Sequence, residues 1–183
     1  MREADFELID RFLQGDGTAF DELVRKRQRE VYNLAYRMTR NAEDARDVSQ
    51  EAFLQVYRNL SRFDRRSSLS TWMYRIVVNL SLNHLNRGSR SPLPATDQQP
   101  ELADPSQGSL GRLEEKERQD ALARAIETLP PQQRASLTLR VHHQLAHREI
   151  AEILGVTEAT AKVHYFHAVK ALRQKLAHLR EGA

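Results

Sequence analysis

The 183-residue chain contains no cysteine, which excludes disulfides, thiolate metal sites and cysteine nucleophiles together. No stretch approaches the eighteen or so consecutive apolar residues that a membrane span requires, and the acidic opening Arg2-Glu3-Ala4-Asp5 is unlike a secretory leader. The expectation is a soluble, cytoplasmic chain with no direct membrane insertion. Glycine is scarce, at seven residues, and sits mostly in turn-like contexts. Strand-like alternation is missing, so the fold class expected is all-α.

Charge is present but uneven. The formal net charge is only +3, yet residues 1–24 carry two basic and seven acidic side chains, and residues 25–87 carry thirteen basic and six acidic ones. The second stretch is therefore the electrostatic candidate for nucleic acid. Residues 112–183, with twelve basic and nine acidic side chains, are too nearly balanced to bind DNA tightly without help.

Helical periodicity organises the chain into two units. Phe6, Ile9, Leu13, Phe20, Leu23, Val24, Val31, Leu34, Ala35 and Met38 recur at helical spacing, interrupted at Gly15-Asp16-Gly17. The pattern continues in Ala45, Val48, Ala52, Phe53, Val56, Tyr57 and Leu60, then in Met73, Ile76, Val77 and Leu80. Four helices suffice to close a small core over residues 1–87. Residues 88–111 turn to Ser, Pro, Gly, Gln and Asp, the composition of a flexible linker. Beyond it the periodicity resumes, in 113–129, 132–141, 149–154 and 158–179, which predicts a second small helical domain over 112–183. Pro130-Pro131 separates its first two helices.

Arg148-Glu149-Ile150-Ala151-Glu152-Ile153-Leu154-Gly155-Val156-Thr157 reads as a helix, a glycine turn and a threonine cap for the next helix. In that next helix Ala161, Tyr165, Ala168 and Leu172 fall on one face, leaving Lys162, Val163, Phe166 and His167 outward for major-groove base edges. His147, Arg148, Thr160, His164, Lys170 and Arg173 complete the candidate duplex contacts. Any two-helix hairpin could share this outline; the glycine turn, the cap and the basic tail set it apart.

A second constellation interleaves aromatics with arginines from Arg62 to Arg75, including Phe63, Arg65, Arg66, Ser67, Ser68 and Trp72. Rings stack on unpaired bases while guanidinium groups hold phosphates. Composition alone allows the plainer alternative that the rings pack in a core. The following helix adds a polar stripe, Arg75, Asn79, Asn83 and Asn86, whose amides can read a splayed base. A third cluster is acidic: Asp44, Asp47, Gln50 and Glu51. Asp47 and Glu51 lie too far along their helix to serve only its dipole.

On these residues the chain resembles the extracytoplasmic-function sigma factors of bacterial RNA polymerase. Leu129-Pro130-Pro131-Gln132-Gln133-Arg134, the helix-turn-helix and Thr160-Ala161-Lys162 resemble sigma region four; Phe63 through Arg87, with Ser70-Thr71-Trp72-Met73-Tyr74-Arg75-Ile76, resembles sigma region two. Asp44 through Phe53 resembles that family's docking helix for the polymerase clamp. The resemblance implies a non-enzymatic initiation factor without cofactor or metal. Its partners would be core RNA polymerase (the beta and beta-prime subunits), promoter DNA and an anti-sigma factor, and its regulon one of stress or envelope genes. It also implies recognition of the minus-thirty-five element by the carboxy-terminal unit, and of the minus-ten element, with a flipped base, by the amino-terminal one. Where relatives often carry serine and arginine, this chain has Val163, His164 and His167.

Two alternatives compete. A stand-alone helix-turn-helix regulator would need a receiver or ligand domain with alternating strands and helices, and none is visible. A metal protein built on His142, His143, His147, His164 and His167 would need accompanying carboxylates such as a His-Glu-x-x-His pattern, which is missing.

Overall fold

The computed structural model of the chain describes residues 2–88 and 109–177. They form eight α-helices and one 3-10 turn: α1 (Arg2–Leu13), α2 (Gly17–Thr39), α3 (Ala42–Asn59), the turn Leu60–Arg62, α4 (Leu69–Gly88), α5 (Ser109–Glu127), α6 (Pro131–His142), α7 (His147–Leu154) and α8 (Glu158–Lys175).

Local chemistry sets the helix ends. Asp16 accepts from the Thr18 N–H to start α2, and Arg11 donates to the same carboxylate at 2.7 Å. Threonine and arginine together hold the Asp16 carboxyl down at about 2. α2 ends on Arg40 in the left-handed region (φ 59°), and Asn41 then caps α3 by accepting from the Glu43 and Asp44 N–H groups. The Ser68 hydroxyl accepts from the Thr71 N–H at the head of α4. In the carboxy-terminal half, Pro131 occupies the first turn of α6, Gly155 (φ 66°) closes α7, and Thr157 accepts from the Thr160 N–H to open α8.

α1–α4 pack as a bundle around Ile9, Leu23, Leu34, Met38, Val56, Leu60, Leu69 and Met73, all essentially without solvent contact. Each such side chain contributes roughly 1.5–3 kcal/mol on burial. Expected boundaries shift at two places. Gly88 is the last residue of α4 and residues 109–111 begin α5, so both helices run into the predicted linker; the rest of it, 89–108, lies outside the described residues. α8 stops at Lys175, and the tail of the predicted 158–179 helix beyond 177 also lies outside them.

The sequence places two helical units along the chain and leaves open how they sit against each other. In the structure they are docked: Ala135, Leu139, Ile150, Ala151, Ile153, Leu154 and Ala161 belong to the same buried cluster as the α1–α4 core. α7 lies against α4, and α6 against α2 and α4. A smaller cluster, Leu129, Leu137 and Ala168, backed by Ile126, Tyr165 and Leu172, joins α6 and α8. Polar contacts reinforce the joint. Arg134 donates to the Met38 carbonyl at 2.6 Å and to the Glu127 carbonyl at 2.7 Å, satisfying the ends of α2 and α5 with one guanidinium. Arg40 pairs with Glu127 at 3.3 Å, and the His143 ring lies 4.4 Å from the Tyr74 ring.

One contact across this joint requires a particular protonation state. Arg37 donates to His142 Nε2 at 3.0 Å, so the nitrogen must accept and the imidazole must be neutral. His142 keeps an exposed edge, but desolvation against α2, then the charges of Arg37 and His143, push it down to about 4. Burial likewise pushes His143 down, with Glu30 opposing and Arg37 assisting. Where α2 and α6 separate, His142 returns to its ordinary value of 6.5. Closure therefore stands in full above that pH and weakens as pH falls through it toward 4, because only the open form then takes up the proton. Fluorophores on α3 and α8 should report growing separation between pH 8 and pH 5, and Arg37→Ala should flatten that dependence. A pH-independent distance would show that the histidines do not govern the joint.

Candidate nucleic-acid interface

α4 divides sharply into two faces. Met73, Tyr74, Val77 and Val78 are buried, and Arg75, Asn79 and Asn83 stand exposed at four-residue spacing on the other side. Beside that stripe, between α4 and the carboxy-terminal half of α3, a cleft of about 290 Å³ is lined by Gln55, Asn59, Arg62, Trp72, Arg75, Ile76 and Asn79. The structure thus brings together four of the residues expected to meet single-stranded DNA: Arg62, Trp72, Arg75 and Asn79. Sequence reading missed Gln55, Asn59 and Ile76. The only available signal was that residues 55, 59 and 62 share one helix face.

The loop between α3 and α4 is less uniform than its composition. Phe63 is buried, its ring 6.4 Å from Phe6 and 5.2 Å from Trp72, so it supports the tryptophan from behind. Arg65 adopts the left-handed region (φ 60°) and pairs with Asp10. Arg66 is exposed beside Asp64, Ser67 is half-buried, and Ser68 caps α4. Asn83 continues the α4 stripe beyond the cleft.

On α3, Asp47 and Gln50 are exposed and Glu51 is half-buried, accepting from Gln55 Nε2 at 3.4 Å. Asp44 faces inward to His84 Nε2 at 3.0 Å, tying α3 to α4. Exposed Leu54 and Tyr57 extend the same side of the helix, Tyr57 resting edge-on against Phe12 and Phe20.

At the other end, α7 and α8 form the helix-turn-helix. Ala161 and Ala168 are buried in full, while Val163 (51% exposed), Phe166 (62%), Lys162 and His167 face outward. Val163 and Phe166 are three residues apart, so they lie side by side as a small apolar patch on this face. Lys162 pairs with Glu158 at 2.7 Å and draws its carboxyl below the ordinary value. Arg148 lies 3.5 Å from Glu152, and Lys170 and Arg173 are exposed further along α8. Thr160 is engaged in the helix cap through its N–H and hydroxyl, His164 is half-buried, and His147 stacks edge-on with Tyr165. Burial, then Arg140 and Lys162, push His147 down. Among the described residues no three His, Asp or Glu side chains are placed to hold a metal, and no helix is long and apolar enough to cross a membrane.

Residues 23–91 match the family model for sigma-70 region 2, and residues 119–172 that for sigma-70 region 4. RNA polymerase sigma-H factor of Pseudomonas aeruginosa is 35% identical, over 96% of this chain and 95% of that protein. ECF RNA polymerase sigma-E factor of Escherichia coli is 34% identical over 94% of each. This chain belongs to the ECF sigma factors. The fold agrees: the sigma factor RpoE of Bartonella quintana, solved with the anti-sigma factor NepR, superposes with a TM-score of 0.69 at 18% identity, over 86% of this chain and 96% of that one. As an ECF sigma factor the chain directs promoter-specific transcription initiation, and a stand-alone regulator is not the better reading of its two matched regions. The cleft and the α4 stripe fall within the region 2 match, and the outward face of α8 falls almost wholly within the region 4 match.

Proposed function

We propose that this sigma factor acts in the cytoplasm through three surfaces: Asp44, Asp47, Gln50 and Glu51 on α3 dock core RNA polymerase through its beta and beta-prime subunits, the α4 stripe with the adjoining loop reads and melts the minus-ten element, and α8 reads the minus-thirty-five element. In domain terms, residues 1–87 act as the melting unit, 112–183 as the duplex-reading unit and 88–111 as the connection. The observation that carries this reading is the cleft, where two guanidinium groups and amide side chains surround an aromatic wall. That combination suits an unpaired base with its phosphates better than a duplex groove. The protein's further partner would be an anti-sigma factor, of the kind that a protein of similar fold was solved with, and its regulon one of stress or envelope genes.

Run-off transcription with core polymerase tests the whole reading, and charge reversal tests docking. Asp47→Lys with Glu51→Lys should weaken polymerase binding about tenfold or more, since like charges replace complementary ones at the contact. Circular dichroism should meanwhile show an intact fold, because Asp47 is exposed and Glu51 half-buried. Unchanged affinity would move docking elsewhere.

The exposed face of α8 makes a separate prediction. Lys162 and His167 can donate hydrogen bonds, whereas Val163 and Phe166 can pack only against thymine methyls or sugar edges. Replacing thymine by uracil in the minus-thirty-five element should weaken initiation by roughly 1 kcal/mol, and Val163→Ser should remove that sensitivity. Arg173→Ala should instead weaken all promoters about equally and lessen the salt dependence. A Val163→Ser, Phe166→Ala variant with unaltered promoter ranking would show that another face of α8 meets the DNA.

A further inference from the structure

The arginines of the loop between α3 and α4 differ in what they touch. Arg66 stands out from the surface, its side chain 88% exposed beside Asp64, whereas Arg65 is turned back onto α1. The Arg65 guanidinium donates to both carboxylate oxygens of Asp10, Nη2 to Oδ1 and, at 3.4 Å, Nη1 to Oδ2. It also lies over the Phe6 ring, 5.4 Å from the centroid. Phe6 and Asp10 are four residues apart, on one face of α1. A guanidinium has no acceptor capacity and Asp10 takes two of its N–H groups, so this cation is already matched within the protein.

The backbone at Arg65 needs such a hold. Its φ of 60° lies in the left-handed region, where a Cβ crowds the chain and residues other than glycine are uncommon. A conformation of this kind persists only where its surroundings fix it. On one side Asp64 accepts from the Arg66 N–H at 3.1 Å, and on the other the Ser68 hydroxyl accepts from the Thr71 N–H at 3.0 Å to start α4. Residue 65 thus sets the path from the 3-10 turn into α4, and the brace that holds it comes from α1.

We propose that Asp10, with the Phe6 ring beside it, is a positioning residue for promoter opening: through Arg65 it holds the loop in the shape from which Arg66 is presented and α4 starts. The inference rests on the minus-ten reading given above, and within it moves Arg65 from the DNA contacts to the loop's scaffold. α1 does not line the cleft, yet it then bears on melting.

The test uses holoenzyme on a duplex promoter, with open complexes read by permanganate reactivity. Asp10→Ala and Arg65→Ala should each lose roughly tenfold, the size of effect of one left-handed residue left without its brace. Arg65→Gly adopts positive φ freely and should stay within about threefold of the wild type. Asp10→Ala combined with Arg65→Gly should recover most of what Asp10→Ala loses, a rescue that neither a folding defect nor a lost phosphate contact would give. The salt dependence of promoter binding should match the wild type in every variant, because no phosphate contact is removed. Equal losses in Arg65→Ala and Arg65→Gly would overturn the proposal and leave the minus-ten reading standing, and a shallower salt dependence alongside them would mark a phosphate contact. Normal opening by Asp10→Ala would overturn it likewise. Normal opening by Arg65→Ala and also by Arg75→Ala with Asn79→Ala would overturn the minus-ten reading, and this proposal with it.

Discussion

Joining α2 to α6 covalently should abolish initiation from a promoter that carries both elements. The elements are named for positions about 25 base pairs apart, or roughly 85 Å of duplex at 3.4 Å per pair. A compact body of about 155 residues has a radius of gyration near 15 Å and is only about 40 Å across. The described residues pack as such a body, since the α1–α4 core and the α6–α8 helices share one buried cluster. Closure leaves Arg75, Asn79 and Asn83 exposed on α4, and Lys162, Val163 and Phe166 exposed on α8. Neither of the proposed reading faces is covered; their separation is too short for the two elements. The cysteine-free chain makes the experiment clean. Arg37→Cys and His142→Cys, whose parent side chains meet at 3.0 Å, can be bridged by a short thiol-cleavable bismaleimide. Transcription should fall about a hundredfold or more and return on cleavage, while each single variant treated with the same reagent stays active. An active bridged protein would mean that both elements are reached without separating α2 from α6.

Such opening is energetically reasonable because the joint mixes apolar and costly polar contacts. Arg134 is buried, and burial, then the neighbouring Arg40 charge, lower its affinity for a proton despite Glu127. Its Nε finds no partner. A buried cation with an unsatisfied nitrogen gives back part of what its contacts with the Met38, Glu127 and Leu129 carbonyls gain. Exposing Ile150, Ile153 and Leu154 on α7 opposes separation by several kcal/mol in sum. Polymerase docking and two DNA elements together can offset a term of that size.

What was legible in the sequence follows the reach of each signal. Caps act within three residues, so Gly155 and Thr157 marked helix ends correctly. Helical spacing acts along a single helix, so the buried Ala161 and Ala168 and the outward Val163 and Phe166 were both readable. It cannot say which neighbour an apolar face will cover. It therefore left open what Ile150 and Ile153 pack against, and their cluster runs through to α4. The same limit hid the cleft: Gln55 and Asn59 gain their meaning from α4, which begins ten residues further along. Composition also could not tell that Phe63, alone among the loop's candidates, packs inward.

Strand opening gives the second large effect. Arg75 and Asn79 are exposed, line the cleft and make no contact that the fold requires, so truncating them should leave stability almost unchanged. Each is placed to contribute about 1–2 kcal/mol to an extruded base and its phosphate. Separate contributions of that size combine to roughly a hundredfold, because 1.4 kcal/mol is tenfold. Extruding a base costs a few kcal/mol, and a pocket favouring the extruded form offsets it only while the partner bases are still paired. Arg75→Ala with Asn79→Ala should therefore reduce open-complex formation on duplex promoters about a hundredfold, measured by permanganate reactivity of unpaired thymines. On a template already mismatched across the minus-ten element the opening cost is gone, and the deficit should shrink to about tenfold or less. Trp72 is unsuitable for this test because its ring packs on buried Phe63, so that its removal would disturb the α3–α4 loop as well as the cleft. Equal loss on both templates would assign Arg75 and Asn79 to holding the strand after opening rather than to driving it. No loss on either would remove the α4 stripe from promoter melting altogether.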